Sequence, residues 1–78
     1  MEQTTIRDTV AAEVRAALGR ANMNAAELAR ETGISKPAMS RKLAGTTSFT
    51  TEELIGVARA VGASVESLIG PAIPAEVA

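Results

Sequence analysis

Lys36, Ser40, Arg41 and Lys42 fall within one short stretch, GISKPAMSRKLAG at residues 33–45, together with Pro37 and a glycine at each end. Three cations and a hydroxyl with no acid among them are suited to holding an anion by charge and hydrogen bonding. The bland counterpart is a solvated helix face, the default for any isolated cationic triplet. Catalysis is the other use of such groups, since Ser40 and Lys36 are a serine–lysine pair in composition. The chain, however, has no histidine and no cysteine. The commonest general base, the commonest metal ligand and any thiolate nucleophile are therefore missing. Seventy-eight residues also leave little chain for walling off a reactive pocket. We expect no enzyme, no cofactor and no metal site.

Charge placement decides whether the anion reading has substance. The formal charge of the whole chain is -1, which argues against unselective attraction to polyanions. Residues 30–48 nevertheless carry Arg30, Lys36, Arg41 and Lys42 against Glu31 alone, a local net of +3, so the remainder sums to -4. The opening MEQTTIRDTV has no basic segment followed by an apolar run, and nowhere does the chain approach the roughly 20 apolar residues that span a bilayer. Absence of cysteine fits a reducing compartment. These features predict a cytoplasmic protein without a membrane partner.

Helices must position the cations, because no segment shows strand alternation and alanine is abundant. Met23, Asn24, Glu27 and Leu28 combine a capping residue, an acid three places on, and an apolar pair flanking the first turn; Phe49, Thr50, Glu53 and Leu54 repeat the combination. Ile34, Ser35 and Met39 supply the cap and the apolar pair without the acid. Gly33, Gly45, Gly62 and Gly70 each follow an apolar-periodic run and predict left-handed helix ends. Upstream, Thr5 and Asp8 open a stretch in which Ile6, Val10, Val14 and Leu18 recur every four residues, with Ala17 and Ala21 alongside. Ser64 caps a last short turn holding Val65, Leu68 and Ile69. The expectation is an all-α chain of five helices, at about 5 to 20, 24 to 32, 35 to 44, 50 to 61 and 64 to 69.

Only Gly33 and Ile34 join the second and third helices, and a short glycine-containing turn between two short helices is the helix-turn-helix arrangement. Ala29 suits it, being small enough for the axes to approach. On a 3.6-residue wheel Lys36, Pro37, Ser40, Arg41 and Ala44 share one arc of the third helix, with Met39 and Leu43 opposite. AAELARETGISKPAMSRKLAG resembles the helix-turn-helix of the Cro/repressor-type, or lambda repressor-like, family of small transcription regulators, through Leu28-Ala29, Gly33-Ile34-Ser35 and Ser40-Arg41. TTEELIGVARAVGASVESLI is similar to that family's next two helices, with Leu54, Val57, Ala58, Val61 and Leu68 in apolar slots. The resemblance covers residues 5–69 and implies a compact five-helix DNA-binding domain over residues 1–70, followed by a short tail at 71–78.

It further implies that Lys36, Pro37 and Arg41 face base edges in the major groove of double-stranded operator DNA. Arg41 is the prime base reader, since its guanidinium fork matches guanine, and Ser40 is small and able to donate to a base or a phosphate. Expected phosphate contacts are Asn24 and Ala25 at the start of the second helix, Ser35, Lys42, and Thr46, Thr47 and Ser48 by hydroxyl and backbone N–H, with the start of the fourth helix as a further anion site. Ser35 is a helix cap before it is a contact, and Thr46, Thr47 and Ser48 also suit a turn. The sequence departs from the family pattern in three places: Ala25 replaces a frequent glutamine, Lys42 precedes Leu43 where an apolar residue commonly precedes a polar one, and Ala44 lacks the polar side chain often found there. Either the third helix is slightly rotated or Lys42 snorkels at its edge.

Two functions fit: a phage immunity or Cro-like repressor occupying promoter DNA, or an antitoxin that binds a protein partner and its own promoter. Ile69, Ile73 and Val77 recur at four across the tail, while Pro71 and Pro74 oppose a continuous helix there. With Ile55, these side chains predict a homodimer, at least on DNA.

Overall fold

Side-chain oxygens stand ready where helices begin, taking amide protons that a first turn leaves unpaired. The computed structural model describes residues 2–73. It contains α1 (Glu2–Ala21), α2 (Ala25–Thr32), α3 (Lys36–Leu43), α4 (Thr51–Val61), α5 (Val65–Ile69) and a single 3-10 turn (Gly70–Ala72). Among the described residues there is no strand. Asn24 Oδ1 accepts from Glu27 N at 2.8 Å while Glu27 Oε1 accepts from Asn24 N at 2.9 Å, a closed capping box. Thr50 and Glu53 close a second, at 3.0 and 2.8 Å. Ser35 and Ser64 take single amides, from Ala38 at 3.3 Å and Ser67 at 3.1 Å.

The helix ends follow the same economy. Gly33, Gly45 and Gly62 all have positive φ, as expected. At α3 the Thr46 N–H reaches back to the Arg41 carbonyl and the Gly45 N–H to that of Lys42, so two orphan carbonyls are satisfied in one reversal. Asn22, at φ 59, performs the equivalent reversal after α1, with the Met23 N–H on the Leu18 carbonyl. Gly70 differs from expectation. It is right-handed, at φ -51 and ψ -46, and leads directly into the 3-10 turn with Pro71. A residue before proline ordinarily avoids helical angles because its Cβ meets the proline ring, and glycine has none. Ala72, in that turn, packs on the core. Pro74 and Val77 lie outside the described residues.

The core joins Val10, Val14, Ala17 and Leu18 of α1 to Leu28 and Ala29 of α2, Met39 and Leu43 of α3, Val57 and Ala58 of α4, and Leu68 of α5. α1 begins at Glu2 rather than at residue 5, which places Thr5 within the helix. Ile6, expected to face inward, is 40% exposed. A four-residue spacing advances about 40° per step beyond a full turn, so a stripe in register at Val14 has drifted off the core face by Ile6. Ala11, three before Val14, is buried instead. No single helix among the described residues is long and apolar enough to cross a membrane.

Candidate nucleic-acid interface

α3 is eight residues long and divides cleanly by face. Met39 and Leu43 are buried, at 1% and 9% exposure, whereas Lys36, Pro37, Ser40 and Arg41 are exposed, as is Ala44 just beyond. Two buried side chains four apart anchor one stripe, which obliges Pro37 and Arg41, about 180° away, to face solvent, while Lys36 and Ser40 flank the stripe and are exposed at its edge. Pro37 sits in the first turn, where its missing N–H costs no intrahelical bond. The start of α2 meets this face: Ala25, Ala26, Lys36, Ser40 and Leu43 line a shallow hollow of about 250 Å³. The hollow thus sets the first residues of α2 beside Lys36 and Ser40. Asn24, Ala25 and Ser35 are exposed along the same edge. Asn24 spends its side-chain oxygen on the cap and keeps its amide donors.

Beyond α3 the expected contacts sort differently. Lys42 is no free cation: its ammonium donates to the Ser48 carbonyl at 2.9 Å and pairs with Glu53 Oε1 at 3.2 Å. Of the two accommodations open to Lys42 and Leu43, the structure adopts the second, with Leu43 inward and Lys42 stretched along the edge. This counts against Lys42 as a phosphate contact and removes one charge from the local excess. Thr46, Thr47 and Ser48 are exposed, but the Thr46 N–H is spent on the Arg41 carbonyl, which leaves its hydroxyl as the donor. The start of α4 is also unsuited to an anion, since Glu52 and Glu53 occupy its first turn and the Thr50 N–H is taken by Glu53. Burial alone would raise the Glu53 carboxyl. The bonds from Thr50, together with the bond and charge from Lys42, outweigh it and hold the group below its ordinary value of 4.5.

Residues that sequence reasoning missed gather at the far end of α3. Arg15 donates through Nη1 to the Leu43 carbonyl, and Arg7 through Nε to the Gly45 carbonyl at 3.3 Å. Both come from α1 and place cations where carbonyls of the last turn and the negative end of the helix dipole need them. Gly45 is itself buried, at φ +82, and a Cβ there would lie 2.6 Å from Asp8 Oδ1. Nothing local in the sequence marks these pairs, whose members are 28 and 38 residues apart. No cluster of acids among the described residues is placed to hold a metal ion. A family model described as the Cro/C1-type HTH DNA-binding domain matches residues 13–71. No curated protein and no solved structure gave a significant match.

Proposed function

This chain belongs to the Cro/C1-type helix-turn-helix DNA-binding family, and we propose that within it the protein is a repressor that inserts α3 into the major groove of operator DNA. The exposed arc of α3 is the observation that supports this most: it carries Lys36 and Arg41 with Pro37 and Ser40, has no acid, and lies opposite a buried anchor. Arg41 reads a guanine through O6 and N7, Pro37 packs on a thymine methyl, and Lys36 and Ser40 reach a base edge or phosphate. Asn24 side-chain amide donors, the first amides of α2, the Ser35 hydroxyl, and the hydroxyls of Thr46, Thr47 and Ser48 hold the backbone.

One such module engages few phosphates, so affinity comes from a homodimer presenting two α3 helices about 34 Å apart. Ile55, 40% exposed on α4, is the apolar side chain assigned to that contact. An antitoxin would share the DNA face. What separates it is a protein partner, read from whether the adjacent reading frame encodes a small toxin.

Selection from random duplexes tests the proposal. The expected product is two symmetry-related half-sites about one helical turn apart, each with a guanine. In Arg41→Ala the guanine preference relaxes by about 1–3 kcal/mol of discrimination. An unchanged motif in that variant would remove Arg41 as base reader, and single half-sites in the wild-type product would remove the dimer.

A further inference from the structure

Arg7 lies at the meeting point of α3 and a groove that shares only Thr47 and Ser48 with the proposed DNA contacts. The groove has a volume of about 410 Å³ and runs between α1, the loop before α4 and the 3-10 turn. Val10, Phe49, Leu54 and Ile69 wall it, and Ile6 and Ile73, at 40% and 45% exposure, stand at its side. A concavity of this size, apolar and with few polar groups, has the form of a small-molecule site. Among the described residues Arg7 supplies the one charge on its lining, Thr47 and Ser48 add hydroxyls, and no acid lines it.

We propose that this groove binds an amphipathic carboxylate, with its hydrocarbon body against the isoleucines and Phe49 and its carboxylate on Arg7. Charge complementarity selects this occupant. Among the described residues Arg7 bonds only through Nε, to Gly45, so its terminal nitrogens remain to fork onto a carboxylate. An alkylamine would set a second cation against Arg7, and a polyol would press unpaired hydroxyls on apolar walls. The same guanidinium holds the Gly45 carbonyl at the end of α3. A carboxylate that draws it into the groove competes with that bond, loosens the end of α3 and weakens operator binding. This last step rests on the DNA-binding reading above; the ligand site itself does not.

The test titrates decanoate, decanol and decylamine into the full chain without DNA, followed by amide and methyl NMR shifts. Saturable shifts confined to the groove are expected, with decanoate about tenfold tighter than decanol, the worth of roughly one charge-assisted hydrogen bond, and decylamine weaker than both. In Arg7→Met the carboxylate preference disappears while decanol still binds, which shows that the groove survives the substitution. Equal binding of all three probes, shifts spread elsewhere, or a preference that persists in Arg7→Met overturns the site. So does a groove already filled by a second copy, seen as shifts at Ile6 and Ile73 on dilution and none with decanoate. A separate titration with the selected duplex then reads the coupling. Decanoate should lower wild-type affinity and leave Arg7→Met unchanged, and decanoate bound in the groove with no change in affinity overturns the coupling alone.

Discussion

At its N-terminal end α3 is held by its own residues: Ser35 caps it, Pro37 stiffens its first turn, and Ile34 and Met39 pack on the core from either side of the cap. At its C-terminal end, two turns later, nearly every hold comes from elsewhere. Arg15 and Arg7 reach in from α1, Gly45 fits against Asp8, and Lys42 braces the following loop through Ser48 and Glu53. The difference separates cations by role. Lys36 and Arg41, on the exposed arc, have no bonding partner among the described residues and are left for a ligand, whereas Arg7, Arg15 and Lys42 are consumed in keeping the end of the helix in place. A helix that must be offered to a duplex on one face needs this division, because a cation cannot both anchor the scaffold and displace counterions from phosphates.

The sharpest way to break the comparison is at the two glycines that bound α3. Gly33 and Gly45 have similar positive φ, +75 and +82, and a side chain pays about 1–2 kcal/mol for that conformation at either. They differ in surroundings: nothing lies within 4 Å of a Cβ at residue 33, whereas one at 45 meets Asp8 Oδ1 at 2.6 Å. Gly45→Ala should therefore lose about 2–3 kcal/mol in urea unfolding, adding displacement of the Asp8 carboxylate to the backbone cost, and Gly33→Ala about 1–2. Asp8→Ala combined with Gly45→Ala should recover the excess. Equal losses in the two single variants would show that the α1 contact places no demand on Gly45.

A smaller effect compares the holds directly. Ser35→Ala removes a local cap and should cost about 1 kcal/mol. Arg15→Met removes a donor supplied from 28 residues away and should cost about as much, since the guanidinium is partly solvated and the Leu43 carbonyl is left with one bond fewer. Amide hydrogen exchange separates them. Ser35→Ala should speed exchange at Ala38, and Arg15→Met at Gly45 and Thr46, whose amides close the C-terminal reversal. Both variants opening the whole of α3 together would mean that the two ends are not independently held.

This division also marks how much was legible in the sequence. Caps, staples and the glycine ends at 33, 45 and 62 use partners within a few residues, so Asn24, Ser35 and Thr50 declare themselves in one dimension. The inward pair Met39 and Leu43 is equally local, and with it the outward arc of Lys36, Pro37, Ser40 and Arg41. Arg7 and Arg15 read as two exposed cations of α1, because what they bond is the backbone of a helix far along the chain, and a carbonyl acceptor leaves no mark in residue type. The fate of Lys42 was undecidable for the same reason: rotation and snorkelling place identical residues in sequence, and only the position of Glu53 in the folded chain separates them. A spacing of four exceeds a full turn, which carries Ile6 off the core face, and Gly70, with Pro71 after it, runs right-handed into the 3-10 turn.

The finest test asks whether Lys42 belongs to the scaffold or to the interface. If Lys36 meets a phosphate, Lys36→Ala should reduce the slope of log affinity against log salt by about one unit. Lys42→Met should leave that slope unchanged and appear instead in stability, by up to about 1 kcal/mol, since its partly exposed pair is screened. The pH dependence carries the sign. Glu53 is held below 4.5 in the folded chain, so its contribution is fully present above that pH and is lost as pH falls through the lowered value. Removing Lys42 takes away two of the influences that lower it and leaves burial, which raises it, in place. The stability difference between wild type and Lys42→Met should therefore be largest near neutral pH and close as Glu53 protonates. A difference that persists at low pH would assign Lys42 to packing, and a salt slope that drops with Lys42→Met as it does with Lys36→Ala would place its ammonium on the duplex and erase the contrast between the two ends of α3.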